Sequence, residues 1–251
     1  MDIVQTFYDS MAAQYDKLFA DWQAATHEQA LVLQKLFEQQ GFDLSAKVLD
    51  CACGIGTQAI GLAELGYRVT AGDISGGEIA EAKVRAAQRG VDIRFARADF
   101  RALAKTFAQP FDIIICMDNA LPHMLTREDL ASAVDSIVGQ LAPGGLFVAS
   151  IRDYDALLTQ RPAYSPPYIH QTPKGRRVCF QTWAWEDDRY KLTQYIIDDE
   201  ETLGVSKFDC EYRAVRRDEL TRLLLAGGCR EAVWKFPDET GFYQPIVMAR
   251  K

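Results

Sequence analysis

The stretch that decides the fold is residues 48–60, VLDCACGIGTQAI, in which an apolar run ends in an acid and continues through Gly-x-Gly into a helix-forming segment. This order predicts a β-strand, a tight loop and the start of an α-helix. Gly54 and Gly56 allow positive φ angles and a close approach of the backbone to a ligand. The unpaired N–H groups at the helix start would face that ligand. The stretch therefore predicts a nucleotide-like cofactor at the end of a strand.

The glycine pattern alone leaves two cofactors open. Gly54-x-Gly56-x-x-Ala59 satisfies the dinucleotide fingerprint, and Asp73 lies at a distance suited to a ribose contact. Asp50 argues against a pyrophosphate, because a negative charge beside the loop would repel phosphate. S-adenosylmethionine (SAM) carries an ammonium and a sulfonium but no phosphate, so an acid there favours it. NAD and a glycine turn without a ligand are the alternatives.

At Asp50, Gly54 and Gly56 the chain resembles the class I SAM-dependent methyltransferases, whose first motif places an acid between an apolar strand and Gly-x-Gly. The resemblance implies a Rossmann-like fold that binds SAM and releases S-adenosylhomocysteine. It also implies that Asp99 contacts the adenine amine and Phe100 its ring, with a simple polar turn as the alternative. The expected cofactor-binding residues are Asp50, Cys51, Ala52, Cys53, Gly54, Gly56, Thr57, Asp73, Ile74, Asp99, Phe100, Met117 and Asp118.

Asp73 comes directly after the second expected strand. A carboxylate there can accept hydrogen bonds from both ribose hydroxyls. The alternative role is that of an acid interacting with the dipole of the following helix. Ser75 and Glu78 at the start of that helix match a capping box, in which each side chain accepts from the other residue's backbone N–H.

From residue 47 onward, strand and helix patterns alternate, which indicates βαβ units feeding a mostly parallel sheet. Strands are expected at 47–51, 67–71, 93–97, 111–117 and 146–151, with helices at 57–65, 75–89 and 126–141. A last helix is expected at 218–226 and two last strands near 232–236 and 242–249. The expected fold is α/β, with a doubly wound, seven-stranded, mostly parallel sheet.

Residues 152–216 have a different pattern, rich in aromatic residues, prolines and charges. Alternating runs at 178–185, 190–197 and 205–212 predict an antiparallel β insertion after the fifth strand. The expected organisation is therefore an N-terminal lid and SAM-binding core at 1–151, a substrate cap at 152–216, and core-completing elements at 217–251.

Composition and charge exclude several classes of partner. The 251 residues are 48% hydrophobic, enough for a large core, and the net charge of −7 argues against nucleic acid. No apolar run approaches the roughly 20 residues that span a bilayer, and no basic signal-peptide start is present. Six scattered cysteines indicate a reducing compartment, and Cys51-x-Cys53 lacks a second ligand pair for a metal. We expect a cytoplasmic protein without a metal or a membrane partner.

Two segments that follow strands carry a second resemblance. Asn119 and His123 match the Asn-x-x-x-His segment of the glycine and glycine/sarcosine N-methyltransferases. Arg152 matches the arginine after their fifth strand, and Asp153 stands where they have asparagine. By this resemblance Arg152 binds the acceptor's carboxylate, for which a guanidinium offers a matched pair of donors. For His123, two roles are open, namely packing and contact with the substrate.

The N-terminal segment repeats a Tyr-Asp pair at Tyr8 and Tyr15, seven residues apart and therefore on one helical face. It is similar to the tyrosine-bearing lid of many small-molecule methyltransferases, which implies that the phenol oxygens approach the donor or the acceptor. Ordinary amphipathic packing is the alternative. The expected catalytic residues are Tyr8, Tyr15, Asn119, His123 and Arg152.

The expected function is SAM-dependent methyl transfer to a small, amine-bearing metabolite by in-line displacement at the sulfonium carbon. The main alternative is O-methylation of a hydroxy acid or sugar-type metabolite, with His123 as general base. A NAD-dependent dehydrogenase and a SAM-binding protein without turnover are further alternatives. The expected partner is a small molecule, and a homo-oligomer through the β insertion is open.

Overall fold

The computed structural model describes residues 3–251, and the described part begins with helices. Helix α1 (Ile3–Met11) leads through a 3-10 segment (Ala12–Leu18) into helix α2 (Trp22–Gln39). Phe7 and Met11 of α1 are buried in the core. The N-terminal segment therefore packs on the rest of the chain.

Residues 47–250 supply the strands of two sheets. The strands are β1 (Lys47–Asp50), β2 (Arg68–Asp73), β3 (Arg94–Arg97), β4 (Phe111–Cys116), β5 (Leu141–Ser150), β6 (Tyr168–Thr172), β7 (Gly175–Glu186), β8 (Arg189–Asp199), β9 (Leu203–Arg213), β10 (Glu231–Lys235) and β11 (Ile246–Arg250). A seven-stranded sheet has the order β10-β11-β5-β4-β1-β2-β3, and a four-stranded sheet has the order β6-β7-β8-β9.

The seven-stranded sheet confirms the predicted fold class. Strands β1 to β5 pair in parallel, whereas β11 runs antiparallel to both β5 and β10. The remaining helices are α3 (Thr57–Glu64), α4 (Gly76–Arg89), α5 (Arg127–Gln140), α6 (Tyr154–Gln160), α7 (Arg217–Ala226) and α8 (Pro237–Thr240). This is the doubly wound, mostly parallel arrangement that the alternating pattern predicts.

Both faces of the seven-stranded sheet are covered. In β4, Ile113 and Ile115 belong to one buried apolar cluster, and Ile114 and Cys116 belong to another. Since successive side chains of a strand point to opposite faces, the two clusters lie on the two sides of the sheet. The unbroken apolar run of β4 is what a strand buried on both faces requires.

The four-stranded antiparallel sheet confirms the predicted β insertion after β5. Strands β7, β8 and β9 cover the three predicted runs, and β7 and β8 are joined at Asp187 and Asp188 as expected. The sequence pattern missed β6, which is short, lies at the sheet edge and is flanked by Pro167 and Pro173. Prolines are typical beside edge strands, and they interrupt the alternation of apolar and polar residues by which a strand is predicted. Self-association through this sheet stays a prediction.

Two strand boundaries differ from the expectation. β11 begins at Ile246 and not at residue 242, because Pro245 has no N–H to donate to a ladder. β5 begins at Leu141, before the predicted turn at 143–145, and its register against β4 shifts between Phe111 and Ile113. The regular ladder starts at Leu146, where the sequence places the strand.

All six cysteines are buried and none is paired in a disulfide. They behave as small apolar side chains, as the scattered pattern predicts. None of the helices within residues 3–251 combines the length and the apolar character that crossing a membrane requires.

Candidate active site

The carboxyl ends of β1, β2 and β4 meet at one edge of the seven-stranded sheet, where a deep cleft opens. Its empty space amounts to about 1250 Å³ with the open mouth included. Open parallel sheets bind their ligands at this edge. All of the expected cofactor-binding residues except Asp50 and Gly56 line the cleft. The fold therefore gathers segments that are far apart in the sequence.

The loop between β1 and α3 forms one wall of the cleft largely through its backbone. Gly54 and Gly56 have φ angles of 52° and 93°, in the left-handed region that favours glycine. A Cβ at Gly56 would lie 2.8 Å from Cδ1 of Ile60, so a side chain there would have to displace the end of Ile60 and adopt a strained φ angle. Thr57, the first residue of α3, lines the cleft. The first N–H groups of a helix lack intrahelical partners and suit a polar ligand.

Asp73 ends β2 and holds the glycine loop in place. Its Oδ2 accepts a hydrogen bond from Gly54 N–H at 2.9 Å, and its Oδ1 accepts one from Ser75 N–H at 2.9 Å. Burial raises the pKa of the Asp73 carboxyl above its ordinary value, although these N–H groups act in the opposite direction. Each oxygen keeps a free lone pair. The contact between Asp73 and a ribose stays a prediction, and these lone pairs permit it.

Asp50 lies beneath the loop and does not line the cleft. Its side chain is fully buried, with Oδ1 accepting from Ala52 N–H at 3.3 Å and Oδ2 without a partner among the described residues. Burial raises the pKa of this carboxyl well above its ordinary value. The acids that do face the cleft are Asp73, Asp99, Asp118, Asp129 and Glu211. They outnumber Arg101, which also lines the cleft, and give it the acidic character that favours a cationic ligand.

Glu78 departs from the predicted capping box. Ser75 Oγ accepts from Glu78 N–H at 3.0 Å as expected, but Ser75 N–H donates to Asp73. The Glu78 side chain is instead fully buried, with one oxygen against Gly54, and neither oxygen has a partner among the residues that the structure describes. The predicted hydrogen bond from Ser75 N–H to the Glu78 side chain is therefore wrong, because Ser75 N–H donates to Asp73 instead.

Asp99 and Phe100 line the cleft after β3. Asp99 forms an ion pair with Arg101, with 2.7 Å between Oδ2 and Nη2. Burial raises the pKa of the Asp99 carboxyl, but the hydrogen bonds from Arg101 outweigh this effect and the pKa lies below its ordinary value. Asp99 is therefore a carboxylate that already holds a cation, and any adenine amine would share it.

The two residues after β4, Asp118 and Asn119, have positive φ angles of 55° and 68°. Such angles cost free energy outside glycine and cluster at functional sites. Ser150 holds both residues, because its Oγ accepts from Asp118 N–H at 2.8 Å and its carbonyl accepts from Asn119 N–H at 3.1 Å. Asn119 Oδ1 accepts from Arg152 N–H and from Tyr154 OH, each at 3.0 Å. The predicted residues Asn119 and Arg152 are thus directly joined.

A second cavity, of about 1050 Å³ with its mouth included, adjoins the cofactor cleft. Tyr8, Tyr15 and Asp118 line both spaces, so these residues form the boundary between them. Asn119 and Arg152 line only the second cavity. Its other walls come from the N-terminal helices, the antiparallel sheet and the loop before β11. We call this space the acceptor cavity.

Arg152 is a half-buried cation held by neutral groups. Its Nη1 donates to Tyr190 OH at 2.8 Å, and its Nη2 donates to Gln181 Oε1 at 3.0 Å. Its guanidinium carbon lies 4.8 Å from the ring centre of Trp183 and 5.6 Å from that of Tyr212. No carboxylate of residues 3–251 forms an ion pair with it. The site therefore holds a positive charge without a counter-ion.

Tyr8 and His123 form a hydrogen-bonded pair at the boundary. The Tyr8 hydroxyl lies 2.8 Å from His123 Nε2, and Cys210 Sγ lies 3.5 Å from His123 Nδ1. The His123 ring packs 4.2 Å from the ring of Tyr212. Burial lowers the pKa of His123 to about 3, so the ring is neutral, and burial raises the pKa of the Tyr8 phenol well above its ordinary value. His123 thus both packs and contacts a boundary residue.

The N-terminal segment is tied to both halves of the site. Asp9 Oδ1 accepts from Ser75 Oγ at 2.6 Å and from Gly77 N–H at 2.9 Å, at the start of α4. Lys17 forms an ion pair of 2.7 Å with Asp198 of the antiparallel sheet. The segment that carries Tyr8 and Tyr15 therefore bridges the cofactor side and the acceptor side.

Five site residues escaped the sequence reasoning. Tyr190 and Tyr212 lie opposite each other on β8 and β9, and the alternation of aromatic residues was a signal that they share a face. Gln58, Gln181 and Tyr243 belong to no motif. Only the folded chain brings their side chains to Asp118 and Arg152.

The seven-stranded sheet with one reversed strand, and the glycine loop among acids at its carboxyl edge, define the class I SAM-dependent methyltransferase architecture. Residues 48–145 match the family model described as a methyltransferase domain. The chain is 29% identical over 154 residues to the glycine/sarcosine N-methyltransferase of Parasynechococcus marenigrum (strain WH8102), an alignment that covers 61% of this chain and 53% of that relative.

A second relative aligns over a longer stretch. The glycine/sarcosine N-methyltransferase of Aphanothece halophytica is 25% identical over 218 residues, 87% of this chain and 77% of the relative. A SAM-dependent methyltransferase from Clostridium acetobutylicum ATCC 824 has the same fold, with a TM-score of 0.74, 20% identity and 97% of each chain covered. The chain spans about half the length of the first relative. The chain is thus similar to methyltransferases in the sequence of residues 48–145 and has the fold of a SAM-dependent methyltransferase.

Proposed function

We propose that the protein transfers a methyl group from SAM to the amine of a small acceptor that carries an anionic group. The observation that carries this proposal is Arg152, a half-buried guanidinium without a counter-ion among residues 3–251, in a cavity that adjoins the cofactor cleft. A buried charge is costly unless it is paired. An acceptor carboxylate would supply the missing partner, in the bidentate geometry that a guanidinium favours.

The residues that line the cofactor cleft suit SAM. Gly54 lines the cleft with its backbone in the left-handed conformation, and Asp73 has lone pairs free for a ribose. Phe100 offers an apolar wall, and the acids Asp73 and Asp118 face the space. These two carboxylates would repel a pyrophosphate. We place SAM here and not NAD.

The mechanism requires positioning more than proton transfer. SAM supplies an activated methyl group on a sulfonium. Arg152 would hold the acceptor's anionic end, and Tyr8 and Tyr15 would close the boundary where the amine meets the cofactor cleft. Burial of these side chains keeps water out of the transfer path. Holding reactants in near-attack geometry can supply roughly 7 to 11 kcal/mol of the barrier.

Amine acceptors fit this site better than hydroxyl acceptors. An alcohol needs a general base, and His123 was the candidate for that role. Burial lowers the pKa of His123 to about 3, and its Nε2 is already bonded to Tyr8. A group this weakly basic contributes little to removing an alcohol proton at neutral pH. The names of the two relatives reported above agree with an amine acceptor.

The test is release of S-adenosylhomocysteine by the full chain incubated with SAM and single acceptors. We expect product with at least one amine that carries a carboxylate, and none with the matched hydroxy acid. Calorimetric titration with SAM and with NAD checks the cofactor, and heat is expected with SAM alone. Methyl transfer to hydroxy acids only, or heat with NAD only, would overturn the proposal.

A further inference from the structure

Asp118 is a half-buried carboxylate, and no cation of residues 3–251 forms an ion pair with it. Its Oδ2 accepts from Gln58 Nε2 at 2.7 Å, and its Oδ1 accepts from Tyr243 OH at 2.8 Å. Both donors are neutral, and no ion pair among the described residues includes Asp118. Each oxygen keeps a further lone pair for a ligand. The residue is therefore fixed in orientation and incompletely satisfied.

The acceptor cavity thus contains two half-buried charges of opposite sign that do not form an ion pair with each other. Asp118 stands at the boundary with the cofactor cleft, and Arg152 lies on a wall that the cofactor cleft does not share. Each charge is held only by neutral donors or acceptors. Burying either one alone is costly. A ligand that carries an ammonium and a carboxylate would compensate both at once.

The backbone at Asp118 supports a role for this side chain. Its φ angle of 55° and that of Asn119, 68°, lie in the left-handed region, which strains a non-glycine backbone although Asp and Asn tolerate it best. Two hydrogen bonds to Ser150 enforce them here. A glycine at 118 would relieve that strain. The chain instead carries an acid at the point where the methyl group must cross.

We propose that Asp118 binds the ammonium group of a zwitterionic acceptor and removes its proton, so that the acceptor is an amino acid and not a hydroxy acid. This inference rests on the proposed function. One proton passes from the ammonium nitrogen to the Asp118 carboxylate. The freed nitrogen lone pair then forms the N–C bond to the methyl carbon as the C–S bond breaks, and the sulfur keeps the electron pair of that bond. Asp118 gives its proton to water when the product leaves.

The surroundings of Asp118 suit a proton acceptor. Burial raises the pKa of its carboxyl above the ordinary value, although Gln58 and Tyr243 act in the opposite direction. The titratable groups that face it are Tyr15 from the N-terminal segment, Tyr243 from the loop before β11, and Asp50 from the end of β1. Burial raises the pKa of all three groups, and Asp118 is the carboxylate of this set that lines the acceptor cavity.

The experiment compares Asp118→Asn with the wild type in binding, not only in activity. Asparagine keeps the size of the side chain and tolerates a positive φ angle, so the fold should persist. Calorimetry on enzyme saturated with S-adenosylhomocysteine would titrate glycine, β-alanine and 4-aminobutyrate. Each is paired with its hydroxy acid, namely glycolate, 3-hydroxypropionate or 4-hydroxybutyrate. The three lengths sample the separation between the two charges.

We expect the wild type to bind at least one amino acid about tenfold or more tightly than its hydroxy acid. Asp118→Asn should abolish this preference on enzyme kept saturated with S-adenosylhomocysteine. Tyr243→Phe is the matched control, because it removes a hydrogen bond to Asp118 but keeps the charge, and the preference should survive. A preference that persists in Asp118→Asn would overturn the inference, as would equal or absent binding of both members of every pair by the wild type.

Two outcomes separate this inference from the proposed function. If Asp118→Asn weakens S-adenosylhomocysteine binding and leaves the amino acid preference intact, Asp118 is a cofactor residue and only the inference fails. If the wild type methylates none of the amines but shows the Asp118-dependent preference, the ammonium contact at Asp118 holds, and the proton transfer and the proposed methyl transfer fail. Should Asp118→Asn not fold, Asp118→Gly provides the same loss of charge in a conformation that glycine favours.

Discussion

The cofactor cleft and the acceptor cavity meet at Tyr8, Tyr15 and Asp118 but are built in different ways. The cleft is formed by loops that directly follow consecutive strands, and its key contacts involve backbone groups, such as Gly54 N–H on Asp73. The acceptor cavity is formed by side chains from the N-terminal helices, the antiparallel sheet and the loop before β11. The two halves therefore differ in how locally the sequence encodes them.

This difference has a functional consequence. A site made from backbone and strand-end loops depends on few side chains and keeps its ligand when the rest of the surface changes. A site made from side chains of distant segments changes its ligand with single substitutions, as at Gln181 or Tyr190 beside Arg152. Substitutions in the two halves should therefore have separable effects on cofactor and acceptor binding.

The largest effect is expected for Asp73→Asn. It removes the charge from the acid that anchors Gly54 and that we expect to bind the ribose. Two charge-assisted hydrogen bonds contribute roughly 1.5–3 kcal/mol each, so affinity for S-adenosylhomocysteine should fall about 100-fold or more. Calorimetry measures this directly. Glu81→Gln, on the exposed side of α4, is the matched control. An affinity unchanged in Asp73→Asn would contradict the whole cofactor assignment.

Much of the cofactor half could be predicted from the sequence, for a physical reason. Strand ends are marked by apolar runs, the carboxyl ends of parallel strands lie at one edge, and glycines mark the loop, so Gly54, Asp73 and Asp118 were expected near one another. The acceptor half depends on contacts over long sequence distances. Tyr243 meets Asp118 across 125 residues, and no local pattern encodes that.

Arg152→Gln should have the second largest effect, and only on the acceptor side. It removes the half-buried cation but leaves groups that can hydrogen-bond to Tyr190 and Gln181. We expect kcat/KM for an amino acid substrate to fall roughly 10- to 100-fold, the range of a charge-assisted hydrogen bond. Affinity for S-adenosylhomocysteine should stay within about twofold. Equal losses on both sides would show that the two halves are not separable.

Glu78→Met tests the cofactor half without touching its lining. The Glu78 carboxyl is buried without a partner, and burial raises its pKa well above the ordinary value. A carboxyl whose pKa is higher in the folded chain than in the unfolded chain destabilises the fold at high pH. As the pH rises, the unfolded chain releases this proton first, and the free energy of unfolding falls. Replacing it with methionine should therefore stabilise the fold by about 1–3 kcal/mol at pH 8 and by less at pH 5.

Thermal melting at the two pH values measures this gain. For a chain of this length each kcal/mol corresponds to roughly 2–4 °C in Tm. Glu78→Gln is the companion variant, because it keeps the unsatisfied polar group but removes the titration, so its effect should be smaller at pH 8. A gain for Glu78→Met that is larger at pH 5 than at pH 8 would contradict the assigned direction of the pKa shift.

The smallest effect is expected for Lys17→Ala, which cuts the ion pair between the N-terminal segment and Asp198. Partly exposed pairs contribute about 0–1 kcal/mol, so KM for the acceptor should rise at most about fivefold. Asp9→Asn is the counterpart on the other side, because Asp9 ties the same segment to Ser75 and Gly77 beside Asp73. We expect Asp9→Asn to weaken S-adenosylhomocysteine binding more than Lys17→Ala does. If each variant affects both ligands equally, the segment that carries Tyr8 and Tyr15 couples the two halves and does not merely border them.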